Sequence, residues 1–246
     1  MAITLPTTKL PAITQDPKNL IIYGTPKVGK TTLLSTLKDN LILDFEDGSD
    51  YVEALKLKVN NFKEFNEICE AIVAAGKPYK FITVDTVTAL EDFAKPLAMK
   101  LYKATPAGAN YSGDILLAPN GSGYGYLRNA LDTIISKLQS LAPNLILVGH
   151  VKDKSIISAA GTEVGNMKDF DLTGKNGRIL AAKSDAIGYI YRDKNSNLCI
   201  NFETKGEVTA GARPVHLANQ NIVVAERQED GSFVSYWERI YPSLAQ

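Results

Sequence analysis

The apolar and polar residues of the chain follow two alternating patterns. Short continuous apolar runs predict buried strands, and apolar residues at helical spacing predict amphipathic helices between them. The predicted strands are 19–23, 41–45, 81–84 and 145–148, the predicted helices are 32–37, 62–76, 90–97 and 127–141, and residues 187–191 and 198–202 are predicted to form a hairpin. Continuous apolar strands separated by helices are typical of a parallel sheet covered on both faces. We therefore expect an α/β fold with a mainly parallel central sheet, flanking helices and an antiparallel hairpin at one edge.

Other segments lack a clear period. Residues 1–18 contain three prolines, which prevent a regular helix, and are interpreted as an arm before a single domain spanning 19–246. The arm is either a docking segment or a frayed terminus. Residues 104–125 and 152–178 are rich in glycine and polar residues, which predicts long loops. The pattern over 214–240 does not distinguish strands from a helix.

Composition narrows the class of protein. The 246 residues are 45% hydrophobic, which is enough for one sizeable core. The 27 basic and 27 acidic residues cancel, so attraction to nucleic acid requires a local patch. Cys69 and Cys199 have neither disulfide nor metal spacing and are expected in the core. Because no apolar run approaches membrane length and no signal pattern opens the chain, we expect a cytoplasmic protein without a membrane partner.

The strongest chemical signal lies between the first predicted strand and helix. Residues 24–32 match the phosphate-loop pattern of a glycine, four residues and Gly-Lys-Thr. Backbone N–H groups of such a loop, followed by a helix N-terminus, bind phosphate. Lys30 is predicted to reach the β- and γ-phosphates of ATP, and the Thr31 hydroxyl to ligate Mg²⁺. The predicted nucleotide-binding residues are Gly24, Thr25, Pro26, Lys27, Val28, Gly29, Lys30, Thr31 and Thr32.

Polar side chains follow three further predicted strands. Asp85 follows the third strand, and we expect it to hold Mg²⁺ through water, with helix N-capping as the alternative. Asp44 and Glu46 lie at the end of the second strand. One of them is expected to activate the attacking water, and a solvated acidic turn is the alternative. His150 is predicted to end the fourth strand as a γ-phosphate sensor or as an ordinary polar residue.

These motifs, in this order, resemble the RecA-like recombinase core. The segments that carry the resemblance are 24–32, 43–46, 82–90, 147–150 and 173–177, within roughly residues 18–206. The extra terminal domains of that family are missing, so the chain is similar to the short single-domain RecA-like ATPases of bacteriophages. Some of those bind single-stranded DNA and support recombination or annealing. His150 departs from the glutamine that the family usually has there.

The resemblance implies a P-loop NTPase fold and further roles. Glu46 would be the catalytic glutamate and His150 the sensor. ATP would lie between neighbouring subunits of a ring or filament, where Lys205 matches a lysine that acts on the neighbour's γ-phosphate. A solvated turn lysine is the alternative for Lys205. The arm would link subunits, and a phage-encoded protein would act in the host cytoplasm.

The resemblance also implies a DNA surface at two predicted loops, 108–126 and 152–183. In the first, Tyr124 and Tyr126 would stack on bases. In the second, Lys168, Lys175 and Arg178 are candidate phosphate contacts. That loop carries six basic and four acidic residues, an excess of two, so its charge alone is weak support. Loops that make subunit contacts are the alternative.

Three functions are compatible with these motifs. The first is an ATPase of DNA recombination or annealing that binds single-stranded DNA. The second is a P-loop small-molecule kinase, which the scarcity of arginine in the loops disfavours. The third is a nucleotide-dependent assembly module without DNA, which the complete set of candidate catalytic residues disfavours.

Overall fold

The computed structural model describes residues 5, 7–9, 16–157, 163–204 and 207–245. The strands in these ranges are β1 (Asn19–Gly24), β2 (Asn40–Asp44), β3 (Lys56–Lys58), β4 (Phe81–Asp85), β5 (Asn144–Ile157), β6 (Glu163–Phe170), β7 (Ala186–Arg192), β8 (Leu198–Asn201), β9 (Gly211–Ala212), β10 (Asn221–Arg227) and β11 (Phe233–Ser235). The helices are α1 (Lys30–Ser35), α2 (Phe62–Ala74), α3 (Val87–Lys103), α4 (Ser122–Gln139) and α5 (Asn176–Lys183). Short 3₁₀ turns lie at Ile115–Leu117, Pro119–Gly121, Trp237–Arg239 and Pro242–Ala245.

The strands form one mixed sheet in the order β11-β10-β8-β7-β1-β5-β4-β2-β3. All neighbours from β7 to β3 are parallel, whereas β8, β10 and β11 add antiparallel strands beside β7. This topology confirms the predicted fold class. Because parallel strands end at the same edge, the chain segments after β1, β2 and β4 meet there. The fold thus brings the phosphate loop and the candidate carboxylates to one edge.

Each face of the sheet has its own apolar core. Alternation along β1 sends Ile21 and Tyr23 to the face covered by α2, α3 and α4, and Leu20 and Ile22 to the other. The second face is covered by α1 and by the C-terminal segment. There the buried Trp237 donates its indole N–H to the Leu33 carbonyl at 3.2 Å. The C-terminal region, whose pattern was ambiguous, therefore packs on the helix that follows the phosphate loop.

The first predicted loop, 104–125, is wrong from residue 122 onward, because α4 begins at Ser122. Tyr124 and Tyr126 therefore lie on the first turns of a helix. Gly123 is buried, and a Cβ atom there would lie 1.6 Å from the carbonyl oxygen of Ile115. The glycine allows a close backbone approach, so its presence does not indicate a flexible loop.

The second predicted loop, 152–183, is also wrong. Strand β5 continues past His150 to Ile157 and pairs with β6, and α5 follows, so His150 does not end its strand. Lys152 pairs in register with Asp169, and Asp153 with Lys168. Opposite charges on paired strands stabilise an antiparallel pair. The polar residues for which the sequence predicted a loop thus form an antiparallel strand pair with opposite charges facing each other.

Some predictions lie outside the described residues. The arm, 1–18, is described only at residues 5, 7–9 and 16–18, and Lys205 is not described. The roles of the arm and of Lys205 therefore stay predictions. Across the described ranges, no helix combines the length and the apolar character that crossing a membrane requires.

Candidate nucleotide site

The phosphate loop connects β1 to α1 and has little freedom. A Cβ atom at Gly24 would lie 2.4 Å from the carbonyl oxygen of Ile190, so no side chain fits there. Lys27 and Gly29 have φ of 63° and 113°, in the left-handed region. Left-handed residues within a turn form concave groups of N–H donors that suit anions. Thr25, Pro26 and Thr32 are exposed and Val28 is buried.

Lys30 is buried inside this loop. Its Nζ atom donates to the carbonyl oxygens of Gly24 at 3.1 Å and Thr25 at 2.9 Å. Burial lowers the pKa of Lys30, while the nearby Asp85 and Glu46 oppose that shift. A lysine ammonium at this position presents a compact positive charge to a phosphate chain.

Thr31 and Asp85 come together as the sequence predicts. The Thr31 hydroxyl donates to Asp85 Oδ2 at 2.6 Å, which joins the start of α1 to the end of β4. Burial raises the pKa of the Asp85 carboxyl, and the hydrogen bond from Thr31 opposes this shift. The N-cap of α3 is Thr86, whose hydroxyl accepts from the Ala89 N–H at 3.3 Å. The capping alternative for Asp85 is therefore wrong.

Glu46 lies between the end of β4 and the middle of β5. The Thr86 hydroxyl donates to Glu46 Oε1, and His150 Nε2 lies 2.9 and 3.1 Å from the two carboxylate oxygens. The side chains of His150 and Glu46 are 26% and 30% exposed, so solvent still reaches the pair. His150 Nδ1 is buried without a partner in the described part of the chain. One carboxylate thus contacts groups from both β4 and β5.

Asp44, the other candidate base, has a different role. Its carboxylate accepts from the N–H groups of Glu46 at 2.9 Å, Gly48 at 3.3 Å and Ser49 at 2.9 Å, and from the Ser49 hydroxyl at 2.5 Å. Burial alone raises the pKa of Asp44, but these hydrogen bonds outweigh it and the pKa is lowered. Asp44 therefore shapes the turn that carries Glu46, whereas the Glu46 carboxylate stays partly exposed at the cleft.

We expect Asp44→Asn to destabilise the protein by about 2 kcal/mol at neutral pH, since hydrogen bonds to a charged group are lost and an amide N–H₂ meets other donors. The folded-state pKa of Asp44 lies below its unfolded value. Its contribution is therefore complete above the ordinary aspartate pKa of about 4 and is lost as pH falls through the folded-state pKa. Urea unfolding of both proteins at several pH values measures the difference.

The matched control for this variant is Asp50→Asn in the same turn. Asp50 is exposed and pairs with Lys58 at 3.1 Å, so we expect a change below about 1 kcal/mol. A difference between wild type and Asp44→Asn that stayed constant down to pH 2 would contradict the assigned role of Asp44.

The turn after β2 is also held from β3, the edge strand. Lys58 pairs with Asp47 and Asp50 at 3.1 Å each, and Lys56 donates to the carbonyl oxygens of Ser49 and, at 2.8 Å, Val52. This turn carries Tyr51, whose ring is fully exposed beside the phosphate loop. The resulting cleft has a volume of about 430 Å³. It is lined by Pro26, Lys27, Gly29, Lys30, Thr31, Thr32, Asp44, Glu46, Gly48, Tyr51, Asp85, Thr86 and His150.

The candidate DNA residues fall into two groups. Tyr124, at the start of α4, packs beside Gly174, with its ring 3.3 Å from the position of a Cβ atom there. Lys175 and Arg178 are exposed nearby, and within the described ranges neither forms an ion pair. Tyr126 packs against another tyrosine ring, and Lys168 is held by Asp153 at 2.5 Å. Tyr124 thus lies beside Gly174, Lys175 follows Gly174 in the chain, and Arg178 lies on the first turn of α5. Tyr126 and Lys168 are engaged elsewhere.

Sequence reasoning missed Thr86, which both caps α3 and contacts Glu46. A threonine between an apolar strand and a helix carries the N-cap signal. That signal would have found the cap. It would not have found the contact with Glu46, because the two residues are 40 positions apart in the chain.

The fold and the cleft define a P-loop NTPase: a parallel sheet carries a glycine-rich phosphate loop after β1 and a carboxylate at the end of β4. The chain belongs to the AAA domain family, whose model matches residues 16–214. This membership and the fold confirm the predicted RecA-like core of a nucleotide-binding ATPase. No curated protein matches the chain. Among solved structures, the crystal structure of the RadB recombinase is similar at 12% identity, with a TM-score of 0.46 over 90% of this chain and 92% of that chain.

Proposed function

We propose that the protein is a Mg²⁺-dependent ATPase that binds single-stranded DNA and acts in DNA recombination or annealing. One observation carries the ATPase part of the proposal. A single cleft is lined by Lys30, Thr31, Asp85 and Glu46, which lie at or after the ends of three different strands. Each has the chemistry that one part of ATP hydrolysis requires.

The phosphate chain of ATP would be bound by the loop at 24–32. Its backbone N–H groups and the N-terminus of α1 supply donors, and Lys30 supplies charge. The ammonium of Lys30 now donates to two loop carbonyls, so it lies within the loop that would surround the β- and γ-phosphates. The exposed ring of Tyr51 gives the base a surface on which to stack.

The attacking water would be activated by Glu46. A carboxylate in contact with solvent at the cleft accepts a proton from water, and the Thr86 hydroxyl holds one of its oxygens in place. His150 lies against the same carboxylate and is our candidate for sensing the γ-phosphate. A contact between the imidazole and phosphate would release Glu46 from the present pairing and free it for water.

Thr31 and Asp85 are the residues that would hold Mg²⁺. Both present hard oxygen atoms, which this cation prefers. The described part of the chain contains no group of three or more His, Cys, Asp or Glu residues that suits a metal. Phosphate oxygens and water would therefore complete the coordination. When bound, Mg²⁺ neutralises charge on the β- and γ-phosphates.

Charge balance favours completion of the site by a neighbouring subunit. The cleft is lined by three carboxylates, Asp44, Glu46 and Asp85, against Lys27 and Lys30. A triphosphate adds more negative charge, which a further cation would stabilise. We propose that Lys205 of a neighbouring copy supplies it within a ring or filament, with the arm at 1–18 linking the copies.

The DNA part of the proposal is supported by the surface formed by Tyr124, Lys175 and Arg178. An aromatic ring beside two exposed cations suits stacking on a base and contact with backbone phosphates. The other cations of 152–183 are paired with acids: Lys152 with Asp171 at 3.5 Å, Lys154 with Asp169 at 3.4 Å, Lys168 with Asp153 at 2.5 Å and Lys183 with Asp132 at 2.8 Å. Binding would therefore depend on few residues and would be moderate in strength.

We expect single-stranded DNA to raise the ATPase rate of the wild-type protein severalfold. The double variant Lys175→Ala/Arg178→Ala should keep the basal rate. It should bind DNA more weakly, with the salt dependence of binding reduced by about 1–2 in log–log slope, since two phosphate contacts are removed. The measurements are ATP turnover with and without DNA and fluorescence anisotropy of a labelled oligonucleotide at several salt concentrations.

The control is Lys63→Ala, which removes an exposed lysine of α2 that pairs with Glu67 along the helix. It should leave DNA binding unchanged. If saturating DNA altered neither turnover nor the protease sensitivity of 108–126 and 152–183 in the wild type, the DNA part would fail. Transfer of phosphate to a metabolite in place of water would favour the small-molecule kinase.

A further inference from the structure

Glu91 is a buried carboxylate on α3 that does not line the nucleotide cleft. Its side chain is 5% exposed, and glutamate is rarely buried to this extent without partners. Its oxygens accept from the N–H of Thr173 and from Asn176 Nδ2, both at 2.8 Å. Both donors are uncharged, so they offset only part of the cost of burying the charge. These two hydrogen bonds fix the turn at 171–176 against α3, so we assign Glu91 a role in positioning this turn.

A second set of contacts fixes the same turn. The N–H of His150 donates to the Thr88 hydroxyl at 3.3 Å, and that hydroxyl donates to the Asp171 carbonyl at 3.2 Å. The N–H of Asp171 donates to the His150 carbonyl at 3.0 Å. These three hydrogen bonds form a closed ring that joins the backbone of the candidate sensor to the first residue of the turn.

Helix α3 connects these contacts to the hydrolysis site. Thr86, at its N-cap, contacts Glu46; Thr88 contacts the backbone of His150; and Glu91, about one turn further along, holds the 171–176 turn. Lys175 lies in this turn and Arg178 follows in α5. These contacts give a continuous connection along α3 from Glu46 and His150 to the turn that carries Lys175.

We propose that Glu91 is the positioning residue that couples nucleotide occupancy of the cleft to the placement of Lys175 and Arg178. The inference rests on the proposed function, because it takes those two residues as contacts to a single-stranded polynucleotide. Glu91 acts through the turn that it holds and touches neither nucleotide nor polynucleotide. Nucleotide bound in the cleft would order residues 171–178, and a polynucleotide bound there would strengthen nucleotide binding in return.

The test compares Glu91→Leu with Glu91→Gln. Leucine fills a similar volume and removes both acceptors, so the Thr173 N–H and the Asn176 amide lose their partner. Glutamine accepts from Thr173 and, after rotation of the Asn176 amide, donates to its oxygen, so it should restore the contact. The control is Asp92→Asn, the adjacent carboxylate, which is 73% exposed and pairs along the helix with Lys95.

Amide hydrogen exchange is measured by mass spectrometry with and without Mg²⁺ and a non-hydrolysable ATP analogue. In the wild type, Glu91→Gln and Asp92→Asn, we expect the analogue to slow exchange at 171–178 by about tenfold. In Glu91→Leu this slowing should be lost, while the protection of residues 24–32 and the analogue affinity remain. The affinity of Glu91→Leu for an oligonucleotide in the presence of the analogue should fall by about fivefold or more.

Several results would overturn the role of Glu91. The first is slowing of exchange at 171–178 by the analogue that persists in Glu91→Leu, and the second is a wild-type protein that shows no such slowing. The third is a Glu91→Leu protein that loses nucleotide binding together with the slowing, which would indicate that Glu91 has a structural role only. A wild type that binds no oligonucleotide would overturn the DNA part of the proposed function, while the exchange data would still decide whether Glu91 couples the cleft to the turn.

Discussion

Lys30→Met is expected to weaken ATP binding by about 10²–10⁴-fold and to abolish turnover. The ammonium would give up two carbonyl contacts for oxygens of the β- and γ-phosphates. Each hydrogen bond between charged partners contributes about 1.5–3 kcal/mol, and two together correspond to that range of affinity. Methionine keeps the length and apolar stem of lysine, so the packing inside the loop is preserved. Binding of a fluorescent ATP analogue and ATP turnover measure the effect.

The control for this variant is Lys38→Met, which removes an exposed lysine just before β2. It should bind and hydrolyse ATP as the wild type does. Thermal unfolding of both variants separates loss of binding from loss of fold. A folded Lys30→Met protein that turned over ATP at the wild-type rate would refute the assignment of 24–32 as the catalytic phosphate loop.

Glu46→Gln is expected to lower kcat by about 10²–10⁴-fold while leaving the KM for ATP nearly unchanged. Glutamine keeps the size of the side chain and can still accept from the Thr86 hydroxyl, but its amide does not take a proton from water. The variant should therefore bind ATP and retain it unhydrolysed. Single-turnover hydrolysis and an equilibrium binding assay separate the two effects.

Glu53→Gln is the matched control, because Glu53 is an exposed carboxylate a few residues further along the chain. It should leave kcat unchanged. Unaltered turnover in Glu46→Gln would show that another group is the base, or that the protein is an assembly module for which hydrolysis is incidental. Asp44→Asn offers a contrast, since we expect its main effect on stability.

The elements that the sequence predicted well are those with a strong local period. Residues 145–148 are apolar throughout, and residues 81–84 are apolar except for Thr83. Both runs became central strands buried on both faces, as in a covered parallel sheet. The candidate phosphate loop could be predicted from the sequence for a similar reason. Its nine residues are contiguous, and their conformation depends mainly on the positions of the glycines.

The predictions that failed involve residues whose role depends on distant partners. Gly123 suggested a flexible loop, yet it allows the first turn of α4 to approach Ile115. Lys152 and Asp153 suggested a polar loop, yet they lie opposite Asp169 and Lys168 in strand register, 17 and 15 residues further along the chain. Composition does not reveal such contacts, because glycine and paired charges occur in both loops and ordered elements.

By itself, the sequence determined the central parallel strands, the helices between them and the candidate phosphate loop, since apolar period and contiguous motifs act locally. The tertiary structure decided which carboxylate is available for chemistry and which shapes a turn. It joined Thr31 to Asp85 across 54 positions, Glu46 to His150 across 104 and Glu91 to Thr173 across 82. Those pairings follow from the order of strands in the sheet, which depends on how the whole core packs and is not encoded in any local pattern.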